Sequence, residues 1–259
     1  MSAMTADIDR WFEHKVAIVT GASLGIGYGV ASALVDAGVS VMVVGRSQAR
    51  MDEAAHRLSG GGDAAVGQEA DVSDPEDVKR MVDSVVARFG RLDFLVNSAG
   101  VRAFSLVHEM PPEQWEDVIN VQLTGTFLAC QAAIDPLIES GGRIVNMSSM
   151  FGYKGRPAGS SYAAAKSGVV GLTKVLASEL APRVTVNAIA PGAIETERLG
   201  AGLSDEEKSK LRAQRGAEVP MKRPGIPADI AWATMYLLGP GAGWVTGQVL
   251  HVNGGALMP

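Results

Sequence analysis

The stretch Val16-Ala17-Ile18-Val19-Thr20-Gly21-Ala22-Ser23-Leu24-Gly25-Ile26-Gly27 decides the fold of this chain. Its first five residues are a short, mostly β-branched run of the kind buried in the middle of a sheet. Three glycines follow, and a helical pattern opens behind them over about residues 25–37. A strand that feeds a helix through a glycine turn leaves the first helical amides unpaired and aimed at the turn. Glycine allows close backbone approach and the helix dipole favours negative charge, so this turn suits a phosphate-bearing ligand.

Outward from this unit the same alternation repeats. Apolar runs at 39–44, 64–69, 92–97, 143–147, 184–189 and 248–252 read as further strands. Helical patterns lie between them at about 48–59, 75–89, 113–139, 160–180 and 227–238. Strands alternating with helices call for a parallel sheet covered on both faces, so one doubly wound α/β domain is expected over 15–259, with a predominantly parallel sheet of seven strands. Asp74-Pro75 supplies a capping carboxylate and a first-turn proline, and Gly90 stops the helix that they start. Pro136 lacks an amide donor and is expected to bend or interrupt the long helix around it. Residues 1–14 include Asp7, Asp9 and Glu13 and no apolar run, so a loose N-terminal extension is expected there, neither signal nor membrane anchor. The segment 193–226 contains a charged stretch, 203–215, which reads equally as a substrate lid or as a solvated helix.

Composition narrows the function classes. The chain has 259 residues, 47% hydrophobic and 20% charged, an ordinary globular balance. A net charge of -5 disfavours nucleic acid, whose partners display clustered basic faces. Cys130 is the only cysteine, which rules out an intramolecular disulfide and fits a buried thiol in a reducing compartment; a cytoplasmic protein is expected. His14, His56, His108 and His251 show no metal-ligand spacing, so no metal site is expected.

The chemistry-bearing residues come in two groups. Gly21, Gly25 and Gly27 are spaced Gly-x-x-x-Gly-x-Gly; Gly45 is followed by Arg46 and Ser47; Asp71-Val72 and Asn97-Ser98-Ala99-Gly100 close the third and fourth strands. Further on, Ser149 ends a strand, and Tyr162 and Lys166 stand one helical turn apart on a common face, with Asn120 upstream and Pro191-Gly192 downstream. Alone, a tyrosine one turn before a lysine is a packed ring beside a solvated amine. Together, from residue 15 onward, these motifs resemble the classical short-chain dehydrogenase/reductase family.

That resemblance implies a Rossmann fold and a nicotinamide-dependent oxidoreductase that interconverts an alcohol and a carbonyl. It casts Asn120, Ser149, Tyr162 and Lys166 as the catalytic set. Tyr162 is the acid/base, and the Lys166 ammonium favours its phenolate so that a proton exchanges near neutrality. Ser149, rather than Ser148, bonds the substrate oxygen, and Asn120 holds a water beside Lys166. The cofactor would touch Gly21, Ser23, Leu24, Gly25, Ile26 and Gly27; Asp71 and Val72 at the adenine; Asn97, Ala99 and Gly100; Tyr162 and Lys166; and Pro191, Gly192, Ile194 and Thr196 at the nicotinamide.

Many nucleotide-binding α/β units present an acid to the adenosine ribose after the second strand, whereas this chain presents Arg46. A guanidinium fork, with the Ser47 hydroxyl beside it, favours a 2′-phosphate and hence NADP(H), with NAD(H) possible. Leu24 stands where NADP-preferring members often carry a basic residue. The expected substrate is a small carbonyl or secondary alcohol in the 3-oxoacyl, sugar or polyol, or steroid-like range. Phe104, Met150, Phe151 and Tyr153 would make its pocket partly apolar, and Arg102 and Arg156 would admit a polar or acidic group. Asp135 and Glu139, only partly offset by Arg143 and Arg183, argue against an acidic acyl carrier protein as the main partner. A homotetramer through the helices at 113–139 and 160–180, with the 245–257 tail in a second interface, follows by family analogy. The competing reading is a non-catalytic NADP(H)-sensing regulatory protein on the same fold.

Overall fold

Alternation along the strands decides the layering. In the computed structural model, which describes residues 10–197 and 202–259, β1 (Val16–Thr20) turns Ala17 and Val19 to one face of the sheet and Val16 and Ile18 to the other. The first face packs on α1 (Gly25–Asp36) and α9 (Pro227–Leu238) through Val30, Leu34, Ile230 and Leu237. The second packs on α3 (Pro75–Phe89), α5 (Gly125–Ser140) and α7 (Ser160–Leu180) through Met81, Val85, Ala133, Leu137 and Leu176. Each large side chain buried in this way contributes roughly 1.5–3 kcal/mol.

The remaining strands are β2 (Ser40–Gly45), β3 (Ala65–Glu69), β4 (Phe94–Asn97), β5 (Arg143–Met147), β6 (Thr185–Pro191) and β7 (Val249–Val252). They form one sheet in the order β3-β2-β1-β4-β5-β6-β7, and every pairing is parallel. The expected fold class is therefore observed, with no antiparallel strand in this sheet. Chain order reverses between β1 and β4, and a crevice opens at the carboxyl ends of these two strands, where doubly wound sheets bind ligands.

The expected boundaries hold where a local cause exists. Asp74 accepts hydrogen bonds from Glu76 N and Asp77 N at the start of α3, and Gly90 ends it with φ 75°. The helices α2 (Gln48–Ser59) and α4 (Pro112–Ile119) also fall where periodicity places them. Pro136 gives a different result. The helix α5 continues through it to Ser140, and the irregularity falls instead at Asn120–Thr124, a π-helical turn in which Gly125 N reaches back to Asn120 O.

Two helices were not expected or not settled: the single turn α6 (Phe151–Lys154) and α8 (Asp205–Ala217), the latter opened by a Ser204/Glu207 capping box. Residues 1–9 of the expected extension lie outside the described residues, but Trp11 and Phe12 are packed. Trp11 Nε1 donates to Leu238 O at 3.0 Å, and Phe12 is buried with its ring centroid 5.9 Å from that of Phe94. The packed body thus begins a few residues before residue 15. Among the described residues no helix is long and apolar enough to cross a membrane.

Candidate active site

A cleft of about 840 Å³ runs over the carboxyl edge of the sheet, and a lobe of about 420 Å³ joins it at Gly21, Ala99 and Gly100. The lobe is floored by the glycine turn. Gly21 has φ 67°, and a Cβ placed on it would lie 2.7 Å from Ala99 Cα; a Cβ on Gly27 would lie 2.6 Å from Gly21 O. These glycines are required by close approach of backbone to backbone. Thr20 ties the two loops together, its hydroxyl accepting from Ser98 N at 3.0 Å and Ala99 N at 3.1 Å. Arg57 braces the turn from outside by donating to Ser23 O.

The turn already behaves as an anion seat. Gly25 N donates to a carboxylate oxygen of Glu197 at 3.0 Å, so the helix-terminal amide selects a negatively charged partner. A dinucleotide pyrophosphate fits the same amides and the same space. Beyond the turn, the lobe is walled by Ser23, Arg46, Ser47, Asp71 and Val72, as the sequence led us to expect, and also by Arg50. Burial works against ionisation of Asp71, but hydrogen bonds from Ser73 and the nearby charge of Arg46 hold its carboxyl below the usual carboxylate range. Arg46 and Arg50 give this end two exposed guanidinium groups, of which only the first was singled out.

The other end of the cleft gathers Ser149, Tyr162 and Lys166 with Gly192, Ile194 and Thr196. The carboxyl end of β5 delivers the two serines. Ser148 spends its hydroxyl on Lys166 O at 2.9 Å, whereas Ser149 Oγ accepts from Phe151 N at 3.2 Å and keeps its own proton free to donate. Helical spacing on α7 puts Tyr162 and Lys166 together, the ammonium 5.9 Å from the ring centroid. Lys166 is buried and donates to Met147 O at 2.6 Å. Burial, and secondarily the charge of Arg102, push its pKa down to about 7.

Three expected site residues are not in the wall. Asn120 is exposed and forms no side-chain hydrogen bond with the described residues; its carbonyl is taken by Gly125 N in the π turn. Gln122 takes the inward position instead, 1% exposed, lining the cleft and donating through Nε2 to Val101 O at 2.5 Å. Residues two apart on a helix face nearly opposite ways, and the extra residue of a π turn shifts the phase again, so two polar residues in Asn120-Val121-Gln122 cannot be told apart by spacing. Asn97 is buried with its amide bonded to Asn146 Oδ1 at 2.9 Å and to the Cys130 sulfur at 3.3 Å, which makes it a tie between β4 and β5. Tyr153 packs edge-on against His251 rather than lining the cleft.

Two other expectations are settled by burial. The Cys130 thiol is fully buried, and desolvation drives its pKa up to about 12, so it is an inert core group. Arg143 is also buried, donating to Gly239 O at 2.7 Å, and offers no surface charge to an acidic partner. Among the described residues no group of three or more potential ligands is placed to hold a metal ion.

Comparison with known proteins agrees with this geometry. The profile of the family described as enoyl-(acyl carrier protein) reductase matches residues 21–256. The 3-oxoacyl-(acyl-carrier-protein) reductase of Vibrio cholerae is 40% identical over 248 residues, covering 95% of this chain and 98% of that protein. The enzymes of the same name from Staphylococcus aureus and Aquifex aeolicus are 40% and 39% identical, covering 94% of this chain and 98% and 97% of their own. With near-complete coverage, a glycine turn at the switch point of an all-parallel sheet and a Ser149–Tyr162–Lys166 grouping beside it, the chain belongs to the short-chain dehydrogenase/reductase family and is an NAD(P)-dependent oxidoreductase acting on an alcohol or ketone.

Proposed function

We propose that the protein is an NADP(H)-dependent reductase that interconverts a ketone and a secondary alcohol, with Tyr162 as its acid/base. The observation that carries this reading is the convergence of Ser149, Tyr162 and Lys166 on one wall of a cleft whose far lobe holds Arg46 and Ser47. When bound, the reduced nicotinamide supplies a hydride to the carbonyl carbon. The chain's own part is to hold the carbonyl oxygen and deliver its proton. Ser149, whose oxygen already accepts from Phe151 N, donates to the carbonyl oxygen. Tyr162, whose hydroxyl makes no hydrogen bond to the described residues, gives it the proton. Lys166 keeps protons beyond the one donated to Met147 O; these bond the nicotinamide ribose and stabilise the phenolate left on Tyr162.

At the other end, Arg46, Ser47 and Arg50 would hold the adenosine 2′-phosphate, and this favours NADP(H) over NAD(H). Gln122 assumes the part expected of Asn120, keeping the cleft wall polar beside Gly100 and Val101. The segment 193–226 acts as the substrate lid. Its helix α8 brings Leu211, Gln214 and Arg215 to the cleft and is tethered by the Arg212–Glu195 ion pair, while residues 198–201 lie outside the described residues. Exposed Trp115, Phe127 and Val175 on α4, α5 and α7, and Trp244 just before the 245–257 tail, support the homotetramer. The named relatives support a 3-oxoacyl thioester as an alternative substrate. Tyr162→Phe is the test of the reaction: we expect at least a thousandfold loss of ketone-dependent NADPH oxidation with cofactor affinity retained. Unchanged turnover would reject the mechanism, and binding without turnover in the wild type would favour a sensor.

A further inference from the structure

The substrate end of the cleft carries more positive charge than the proposed reduction requires. The chain as a whole has a net charge of -5, yet Arg102, Lys154, Arg156 and Arg215 line this end together with Lys166, against the single acid Glu218. Among the described residues Arg102, Arg156 and Arg215 form no salt bridge, so no protein carboxylate neutralises them in place. Their positions converge. The Arg102 guanidinium lies 5.8 Å from the Tyr162 ring centroid, and that of Arg156 lies 4.4 Å from the Phe104 centroid and 5.5 Å from that of Phe151. Arg215 descends from α8; burial and the charges of Arg102 and Arg156 depress its pKa, with Glu218 opposing them. Arg215 is half-buried while Arg102 and Arg156 are exposed at the mouth of the cleft, and like charges gathered in a concave site repel one another until an anion enters.

We propose that the substrate is a free oxo acid, a ketone whose carboxylate lies a few bonds from the carbonyl and is held by Arg102, Arg156 and Arg215. The inference rests on Tyr162 as the proton donor to the carbonyl. The closeness of Arg102 to that ring sets the short spacing between carbonyl and carboxylate. Phe104 and Phe151, each beneath the Arg156 guanidinium, cover the carbon chain between them. An acyl-carrier thioester meets this site poorly, because its chain near the ketone is uncharged and its phosphate lies a whole prosthetic arm away. The adenosine phosphate does not account for these arginines either, since Arg46 and Arg50 serve that end of the cleft. The product is the corresponding hydroxy acid, with the carboxylate unchanged.

The test compares 5-oxohexanoate with its methyl ester, using the full chain and NADPH. The acid is expected to exceed the ester in kcat/KM by about ten- to a hundredfold, the effect of a charge-assisted pair. Arg102→Met and Arg215→Met should each cut that ratio about tenfold, chiefly through KM for the acid, and Arg215→Lys should restore part of it. Glutarate, which cannot be reduced, should raise the Tm of the NADPH-loaded wild type and not that of Arg215→Met. Equal kcat/KM for acid and ester, a ratio unmoved by both methionine variants, or a preference for an acyl-carrier thioester overturns the oxo-acid site while sparing Tyr162. Glutarate stabilisation that depends on the arginines, with no turnover of any carbonyl, supports the anion site and rejects the acid/base reading instead.

Discussion

The two ends of the cleft are built by different means. The proposed cofactor end is mostly backbone: Gly21 and Gly27 just after β1, each against backbone atoms, with Thr20 clamping the amides of Ser98 and Ala99. The substrate end is mostly side chains, brought from the 101–104 loop, α6, α7 and α8. Backbone packed against backbone admits no substitution without displacing the sheet, so that end is rigid and local in sequence. Side chains on loops and an exposed helix change easily, and they leave specificity to be set apart from cofactor binding. Electrostatics divides along the same line. Two arginines face the proposed adenosine lobe, while the proposed catalytic end holds a buried lysine and a larger cluster of cations.

This contrast can be broken most directly at Gly27, where a Cβ would sit 2.6 Å from Gly21 O. Gly27→Ala should weaken NADPH binding by at least a hundredfold and lower Tm by several degrees, because overpacking against backbone costs about 1–3 kcal/mol. Isothermal titration and thermal melts read both effects. Arg46→Asp should lower kcat/KM with NADPH by about a hundredfold and raise it with NADH, since an acid there repels the 2′-phosphate. Loss with both cofactors alike would show that Arg46 serves the fold and not the choice. The helix α4–α5 provides a finer comparison: Gln122→Ala should reduce kcat about tenfold, the equivalent of one buried hydrogen bond, while Asn120→Ala stays within about twofold. The reverse order would restore Asn120 to the site.

The smallest expected effect is on stability. Lys166 has a folded pKa of about 7 against an ordinary 10.5, so between those values the unfolded chain binds the extra proton and stability rises with pH. Below pH 7 both states are protonated and the full cost of burying the ammonium is present. Lys166→Met removes that cost. The variant should therefore melt a few degrees above wild type at pH 6, with the advantage shrinking as pH climbs toward 10. A constant difference across that range would mean that Lys166 does not titrate in the folded protein.

The cofactor end was legible because its logic is local. A β-branched run, a glycine spacing and a helix onset are contiguous; Arg46 follows directly on β2, and Asp71 and Gly100 lie within three residues of the ends of β3 and β4. Tyr162 and Lys166 stand one turn apart on one helix, but that spacing alone is uninformative, and it was the resemblance of the surrounding motifs to the family that singled them out. Asn120 misled because an inserted π residue changes which polar side chain faces inward, and that insertion depends on how α4 and α5 pack. Pro136 misled because a missing amide bond near a helix end is easily outweighed by the burial of Ala133 and Leu137 around it. Asn97 and Arg143 carry polar atoms that resemble ligands for cofactor or partner until their buried hydrogen bonds are seen.

The sequence by itself determined the doubly wound sheet, the glycine turn, the tyrosine–lysine pair and the absence of cysteine chemistry beyond a single thiol. The sheet, the turn and the thiol count are written in periodicity, contiguous spacing or composition, and the pair is marked by its resemblance to the family. Only the tertiary structure decided that Gln122 and not Asn120 faces the cleft, that Trp11 and Phe12 belong to the packed body, and that Arg215 stands with Arg102 and Arg156. These outcomes join residues far apart in the chain. Such distances are fixed by which faces bury together, and no spacing read along one segment contains that information.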